Sequence, residues 1–237
     1  MKRLGIAGDS FMALDSKYPN THFTEILSNT FSCDLINLAK GGGTNFLIYH
    51  QVRELIKQNP SFIIIGFTTY GRTEIGLDQR ESLFYDTVTV EDFNQNPVDG
   101  KSPRFFFNSI DNLINTDQSK LSIKEIKLFE NFKEYFLNVY NKPLEFSRSL
   151  AFQIATLALV EQSKIPYVFY SIVEDPYFTT PPIDSKYIPI YSPKCPWNYT
   201  NGYAYAKPRY HTLVEAQKLL ADYYLPLVKN YLKPEFI

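Results

Sequence analysis

Cysteine and histidine are scarce in this chain, and their scarcity argues against several kinds of site. The 237 residues include two cysteines, Cys33 and Cys195, and three histidines, His22, His50 and His211. Two cysteines this far apart give no disulfide framework and no Cys-x-x-Cys motif. No histidine stands at a metal-ligand spacing from another histidine or from a cysteine. The sequence therefore predicts no zinc site, and we expect no metal.

Excess charge and long apolar runs are also missing. The formal net charge is −1, which gives no general attraction to nucleic acid or to an anionic membrane, so we expect neither as a partner. No apolar run approaches the length that spans a bilayer. Asp9 interrupts the N-terminal apolar stretch too early for a secretory signal peptide. These features predict a soluble, cytoplasmic protein.

Apolar residues, in contrast, are plentiful. They make up 44% of the chain, with 18 tyrosines and 19 phenylalanines, so a sizeable core can form and intrinsic disorder is excluded. The length suits one α/β domain that carries insertions. Tyrosines at a surface can bind sugars, but core packing is the simpler explanation for most of them.

Short apolar runs alternate with amphipathic stretches along the chain. Strands are predicted in the run that ends at Gly8 and at residues 34–38, 61–66 and 165–171. Helices are predicted at residues 22–31, 45–58, 146–164 and 212–231. The third of these has apolar residues nearly all round, which predicts that it is well buried. Strand–helix–strand units at this spacing form right-handed crossovers, so the sequence predicts a parallel, doubly wound sheet.

Two stretches break this alternation. Residues from about 70 to 141 contain loop-forming sequence and a helix predicted at 121–140, and residues 174–208 are rich in proline and tyrosine with little regular pattern. We interpret both stretches as insertions in a single domain that spans residues 1–237.

Candidate catalytic groups lie where predicted strands and helices meet. Ser10 follows the first strand, and three glycines at positions 41–43 follow the second. His211 precedes the last helix. In a doubly wound sheet such loops converge on one edge. A serine, a histidine and backbone N–H groups at one edge are the parts of acyl transfer by covalent catalysis.

These segments resemble the sequence blocks of the SGNH (GDSL-type) hydrolase superfamily. Residues 8–11, Gly-Asp-Ser-Phe, resemble its first block, and residues 37–42, Asn-Leu-Ala-Lys-Gly-Gly, resemble its second. Residues 211–221 resemble the last block, in which the catalytic histidine leads into the C-terminal helix. Members of this superfamily are esterases and lipases on a three-layer α/β/α, flavodoxin-like parallel sheet. The resemblance therefore implies that fold and that class of activity.

The resemblance also implies roles for individual residues. Ser10 would be the nucleophile, His211 the base, and the backbone N–H of Gly42 an oxyanion donor. The third block of the family ends in Gly-x-Asn-Asp, and its asparagine donates to the oxyanion. This chain has Gly-Phe-Thr-Thr there, so Thr68 would replace that asparagine, and Asn45 is a neighbouring amide that is a second candidate donor. No cofactor is implied.

One further position departs from the family pattern. The acid that lies three residues before the catalytic histidine is replaced by Pro208. Two functions therefore stay open at the level of sequence. The first is a serine esterase that acts on a small-molecule or carbohydrate ester, with O-deacetylation of a carbohydrate as one such reaction. The second is a catalytically degenerate SGNH fold that serves as a binding or structural module. The sequence does not give the oligomeric state.

Overall fold

Five parallel strands form one sheet in the computed structural model. The model describes residues 2–9, 11–14, 18–40, 43–68, 141–171, 187–188 and 214–232, with isolated residues between 126 and 139. The strands are β1 (Arg3–Ala7), β2 (Asp34–Asn37), β3 (Phe62–Phe67), β4 (Tyr167–Ser171) and β5 (Tyr187–Ile188). Their order is β2-β1-β3-β4-β5, and each neighbouring pair is parallel.

This strand order is that of flavodoxin-like folds. The chain moves outward from β1 to β2 and then crosses back to β3, so the connections leave β1 and β3 in opposite directions. Ligands of such sheets bind beyond the carboxyl ends of the strands at this reversal point. The predicted fold class, a three-layer α/β/α parallel sheet, is confirmed.

Four helices accompany the strands in the described part of the chain. They are α1 (Phe23–Phe31), α2 (Asn45–Lys57), α3 (Lys142–Ser163) and α4 (Val214–Leu232). Local sequence explains where three of them begin. The side chains of Thr44 and Asn141 accept hydrogen bonds from the first turns of α2 and α3, and His22 caps α1 in a capping box with Glu25.

Strand side chains alternate between two cores, one on each face of the sheet. On β3, Ile64 faces one core while Ile63 and Ile65 face the other. The first core lies against α1 and α4 and includes Leu4, Ile6, Phe23, Leu27, Leu220, Tyr224 and Val228. The second lies against α2 and α3 and includes Ala7, Ile48, Val52, Leu55, Leu157, Val160 and Phe169.

The structure corrects two expectations for the second half of the chain. The helix α3 begins at Lys142 rather than at residue 146, because Asn141 caps it and a proline is tolerated in its first turn. The expectation that this helix is well buried holds for one face only. Its outer face is open, with Leu144 57% exposed and Ile154 43% exposed. The short strand β5 was not predicted.

Most of the two predicted insertions lies outside the described residues. This applies to residues 70–125 and to most of the helix predicted at 121–140, although Ile126, Glu130 and Glu134 are helical. Within 174–208 only β5 is described. The single-domain organisation therefore stays a prediction. In the ranges that the structure describes, no helix has the length and apolar character needed to cross a bilayer.

Candidate active site

The turn that follows β1 is organised by a buried aspartate. Asp9 has no exposed surface, and its Oδ1 accepts the Phe11 N–H at 3.0 Å. Its main-chain oxygen accepts the N–H groups of Met12 and Ala13, both at 3.0 Å. Ser10, the predicted nucleophile, lies outside the described residues, between Asp9 and Phe11. The chain on both sides of that serine is therefore held by one residue.

Gly8, directly before this aspartate, is required by space. A Cβ atom at this position would lie 2.4 Å from Cγ and 2.7 Å from Cβ of Met12, closer than packed atoms approach. The Gly8 N–H donates to Oε1 of Gln51 on α2 at 2.7 Å. A side chain on Gly8 would push Met12 away and disturb the turn that contains Ser10. The glycine of this motif thus serves close packing.

A hydrogen bond joins this turn to the end of β3, across the reversal point of the sheet. The Thr68 hydroxyl donates to Oδ2 of Asp9 at 2.9 Å, and Thr68 is only 1% exposed. Asn45, the first residue of α2, holds the backbone of Thr68 from the other side. Its Oδ1 accepts the Thr68 N–H and its Nδ2 donates to the Thr68 carbonyl, both at 3.0 Å. Nδ2 of Asn45 also donates to Ser149 Oγ on α3, at 2.6 Å.

These contacts bear on the two predicted oxyanion donors. A hydroxyl has one hydrogen, and that of Thr68 is directed at Asp9. A side-chain amide has two hydrogens, and those of Asn45 go to Thr68 and to Ser149. In the conformation described, the hydrogens that the sequence analysis assigns to an oxyanion are donated within the protein. Both side chains hold the loops of the site instead.

The loop after β2 lies against the same turn. The Lys40 N–H donates to the Gly8 carbonyl at 3.1 Å, and the Gly43 N–H donates to the Lys40 carbonyl at 3.1 Å. A Cβ on Gly43 would lie 3.2 Å from the Lys40 oxygen and 3.4 Å from that of Gly8, so a small residue is favoured here. Gly42, the predicted backbone donor, lies between these residues but outside the described part of the chain.

His22 reaches this turn from α1, but both of its ring nitrogens are engaged. Nδ1 lies 2.7 Å from Thr24 Oγ1 and accepts the Thr24 N–H at 3.4 Å. Nε2 lies 3.0 Å from the Phe11 carbonyl oxygen, which assigns the ring hydrogen to Nε2. His22 therefore caps a helix and holds the residue after Ser10. It has no ring nitrogen available to act as a base on that serine.

His211, the predicted base, lies outside the described residues, as does Pro208. The described part of α4 begins shortly after, at Val214. Oε1 of Gln217, on this helix, accepts the Phe23 N–H at the start of α1 at 2.9 Å. The start of α1 is in turn joined to the turn after β1 by the contact of His22 with Phe11. The beginning of α4 is thus held at the sheet edge that carries the turn.

Two residues of this site, Gln51 and Ser149, were missed by sequence reasoning. Asp9 was expected in a turn, because an aspartate side chain can accept nearby backbone N–H groups, and it accepts that of Phe11. Gln51 and Ser149 lie inside helices, where nothing in the sequence distinguishes them from other polar residues. Among the described residues no group of three or more His, Cys, Asp or Glu side chains is arranged to hold a metal ion.

Comparisons with known proteins give matches to solved structures only. No protein-family profile matches the chain, and no curated protein matches it. Among solved structures, the psychrotrophic esterase EstA from a Pseudoalteromonas species, inhibited by monoethylphosphonate, is 14% identical, with a TM-score of 0.40. The match covers 98% of this chain and 99% of the esterase.

A second solved structure is a protein from Desulfitobacterium hafniense that is assigned to the G-D-S-L family of lipolytic proteins. It is 14% identical, with a TM-score of 0.34, and the match covers 94% of this chain and 97% of that protein. In sequence, the segments around Ser10, Gly42 and His211 resemble the blocks of the SGNH hydrolases. The strand order and register, rather than these two matches, carry the assignment of the fold.

Proposed function

We propose that the protein is a serine ester hydrolase of the SGNH type, with Ser10 as nucleophile and His211 as base. One observation carries the proposal: the buried carboxylate of Asp9, the residue before Ser10, binds Phe11, the residue after it, and Thr68 at the reversal point of the sheet. Ligands of this fold class bind at that point. The sequence blocks around both proposed catalytic residues, and the esterase and lipolytic names of the two solved structures, agree with it.

The proposed reaction proceeds through an acyl-enzyme. Oγ of Ser10 attacks the ester carbonyl carbon while His211 takes the serine proton, which gives a tetrahedral oxyanion. The backbone N–H groups of Ser10 and Gly42 stabilise that oxyanion. Collapse breaks the bond to the alcohol, which leaves with the proton from His211. Water then attacks the acyl carbon while His211 takes a proton from it. The bond to Oγ of Ser10 breaks, His211 returns the proton to that oxygen, and the acid is released. These steps use no cofactor.

The substrate that we propose is a small acyl ester, and within that class an O-acetylated carbohydrate. The second part rests on the tyrosines between residues 187 and 210, since aromatic rings with a hydroxyl can pack against a sugar and hydrogen-bond to it. The part of the chain concerned lies almost entirely outside the described residues.

A second function is favoured by one specific observation. Pro208 stands where the family has the acid that orients the histidine, and altering a triad aspartate lowers kcat by about 10⁴-fold in a known case. The chain would then be an SGNH fold that has lost catalysis and serves as a binding or structural module.

Labelling with a fluorophosphonate probe separates the two functions. We expect the probe to label the wild type and not the Ser10→Ala variant. Ser147→Ala is the matched control, because Ser147 is an exposed serine on α3 whose hydroxyl donates to the Pro143 carbonyl. Turnover of a short-chain aryl ester should follow the same pattern. Equal labelling of the wild type and Ser10→Ala, together with absent turnover, would exclude the hydrolase and leave the binding module.

A further inference from the structure

We propose that Asp9 and Thr68 act as a positioning pair for Ser10, supported from α2 and α3 by Asn45 and Ser149. The inference rests on the proposed function, because it concerns the same serine. It assigns to Thr68 a different task from the one that its place in the motif suggests. The pair would hold the nucleophile turn in position rather than contact the substrate.

The Asp9 carboxylate binds two separate parts of the chain. One oxygen accepts the Phe11 N–H at 3.0 Å and the other accepts the Thr68 hydroxyl at 2.9 Å, so one group joins the residue after Ser10 to the end of β3. Asp9 has no exposed surface. A buried carboxylate is costly unless hydrogen bonds satisfy it, and bonds to a charged acceptor are stronger than neutral ones. Breaking either of these two hydrogen bonds would therefore cost free energy, because it would leave the buried carboxylate less well satisfied.

Thr68 is itself held on two sides. Asn45 binds both the N–H and the carbonyl of Thr68, at 3.0 Å each, as a neighbouring strand would. Ser149 accepts the remaining amide hydrogen of Asn45 at 2.6 Å. These three residues are 1% to 8% exposed, and hydrogen bonds in such a dry environment strengthen one another. The backbone of Thr68, which carries the hydroxyl, is thus held by groups from two helices.

Asp9 and an oxyanion would compete for the single hydroxyl hydrogen of Thr68. In the family pattern the residue at this position donates a side-chain amide to the oxyanion, whereas here the single hydroxyl hydrogen of Thr68 goes to Asp9. Stabilisation of the oxyanion then depends on backbone N–H groups, whose placement depends on the turn. Misplacement of a catalytic group by about 1 Å can cost about 10²-fold in rate. Loosening the turn should therefore lower kcat more than it raises KM.

The test compares Thr68→Val with Thr68→Ser. Valine keeps the shape of threonine but removes the hydroxyl, and serine keeps the hydroxyl. We expect Thr68→Val to lower kcat and the rate of fluorophosphonate labelling by about 10- to 10²-fold with KM nearly unchanged, and Thr68→Ser to restore most of both. Ser149→Ala should shift the same quantities less. Ser147→Ala, on the exposed face of the same helix, should leave them unchanged.

Amide hydrogen exchange supplies a readout that does not depend on activity. The Phe11 N–H, bound to Asp9, should exchange faster in Thr68→Val than in the wild type and in Thr68→Ser. If Thr68→Val does not fold, Thr68→Cys takes its place, because a thiol keeps the volume and is only a weak donor. The exchange and labelling rates are normalised to the folded fraction, measured by circular dichroism.

The outcomes separate this inference from the proposed function. A wild type that is neither labelled nor active overturns the proposed function and with it the catalytic part of the inference. A wild type labelled at Ser10, with unchanged labelling, kcat and Phe11 exchange in Thr68→Val, overturns the positioning pair and leaves the hydrolase standing. A Thr68→Val variant that is only less stable, with unchanged rates per folded molecule, also overturns it.

Discussion

The two ends of the sheet are held by different kinds of contact. At the carboxyl ends of β1 and β3, buried side chains from other elements bind specific groups of the loops. Gln51 accepts from the Gly8 backbone, and Thr68 donates to the carboxylate of Asp9. Asn45 then binds the backbone of Thr68 on two sides. These bonds are directional, so they fix where the loop atoms lie.

At the amino ends, the described contacts include main-chain hydrogen bonds and apolar packing, beside side-chain bonds such as that of the Arg3 N–H to Ser61 Oγ at 3.2 Å. The Ser61 N–H donates to the Arg3 carbonyl at 2.8 Å, and the Ile63 N–H donates to the Pro166 carbonyl at 2.9 Å. Nearby, the side chain of Leu55 packs against Gly5 of β1, so closely that a Cβ atom on Gly5 would lie 3.2 Å from a methyl group of Leu55. Apolar contacts such as that of Leu55 remove apolar surface from water but constrain position less than hydrogen bonds do.

The difference indicates a division of labour within one sheet. Apolar burial is non-directional and supplies most of the free energy of folding. A buried hydrogen bond adds little net stability, but its loss leaves a polar group unsatisfied and lets the loop move. Variants at the amino end should therefore change stability and spare activity. Variants at the carboxyl end should lower activity by more than their stability suggests.

The largest expected effect on stability comes from Leu55→Ala. Leu55 is fully buried in the core beneath α2, and truncation of such a leucine leaves a cavity that costs about 2–5 kcal/mol in the free energy of unfolding. We expect kcat per folded molecule to stay at the wild-type value. Urea denaturation measures the free energy of unfolding. The number of molecules labelled at Ser10 is used to normalise kcat.

The matched control is Leu227→Ala on α4. Leu227 is 39% exposed, so the same chemical change should shift the unfolding free energy by less than about 1 kcal/mol. The proposed division of labour fails if Leu55→Ala lowers kcat per folded molecule as much as Thr68→Val does.

A smaller effect on stability, with a larger effect on activity, is expected for Gln51→Met. The change leaves the Gly8 N–H without its acceptor, which costs about 1–3 kcal/mol. It also removes Nε2 of Gln51, a buried donor with no hydrogen-bond partner in the described part of the chain, so the net loss should lie at the low end of that range. Activity per folded molecule should fall below that of Leu55→Ala.

Gln58→Met is the control for this comparison. Gln58 directly follows α2, at the amino end of the sheet, and its buried Nε2 also lacks a hydrogen-bond partner among the described residues. Removing that group should leave activity unchanged. Equal activities for Gln51→Met and Gln58→Met would show that the contact with Gly8 does not hold the turn.

The sheet itself was predictable because its information is local. The strand β3 is a continuous apolar run, Phe62–Phe67, which is the pattern of a strand buried on both faces. The amphipathic helices between such strands predict parallel pairing with right-handed crossovers. The flavodoxin-like strand order was implied by the family resemblance and not by the local pattern. The caps of α1 and α2 also lie within a few residues of the helix starts. β5 was missed because two residues carry no periodicity.

The contacts of the site were less predictable because they join distant residues. Asp9 and Thr68 are 59 positions apart, and Asn45 and Ser149 are 104 apart. Nothing in the sequence gives the rotation of a helix about its axis, which decides that Ser149 faces inward. The same lack of information explains why the expectation for α3 holds for one face only. Its buried face carries Glu145, Ser149, Gln153 and Thr156 beside apolar residues, while Ile154 and Leu144 point to solvent.

The smallest effect is a change in the pH dependence of stability, at a side-chain hydrogen bond that lies at the amino end. The Tyr167 hydroxyl, at the start of β4, donates to the carboxylate of Glu161 on α3. Burial, and after it the hydrogen bond to Glu161 and its negative charge, raise the pKa of Tyr167 well above the usual value of about 10. The unfolded chain therefore loses this proton near pH 10 while the folded chain keeps it.

The sign of the effect follows from that difference in bound protons. Below about pH 10 both states are protonated and the full contribution to stability is present. As the pH rises further, the folded state binds more protons, so the free energy of unfolding falls. Tyr167→Phe should make this alkaline fall less steep, whereas Tyr231→Phe, at a 42% exposed tyrosine, should change it less. Urea midpoints between pH 8 and 11 measure the slope. Activity per folded molecule at neutral pH should be unaffected by Tyr167→Phe, because the bond to Glu161 lies at the amino end of the sheet, and Ser10 follows the carboxyl end of β1. A loss of activity in Tyr167→Phe as large as that in Gln51→Met would contradict the division of labour between the two ends.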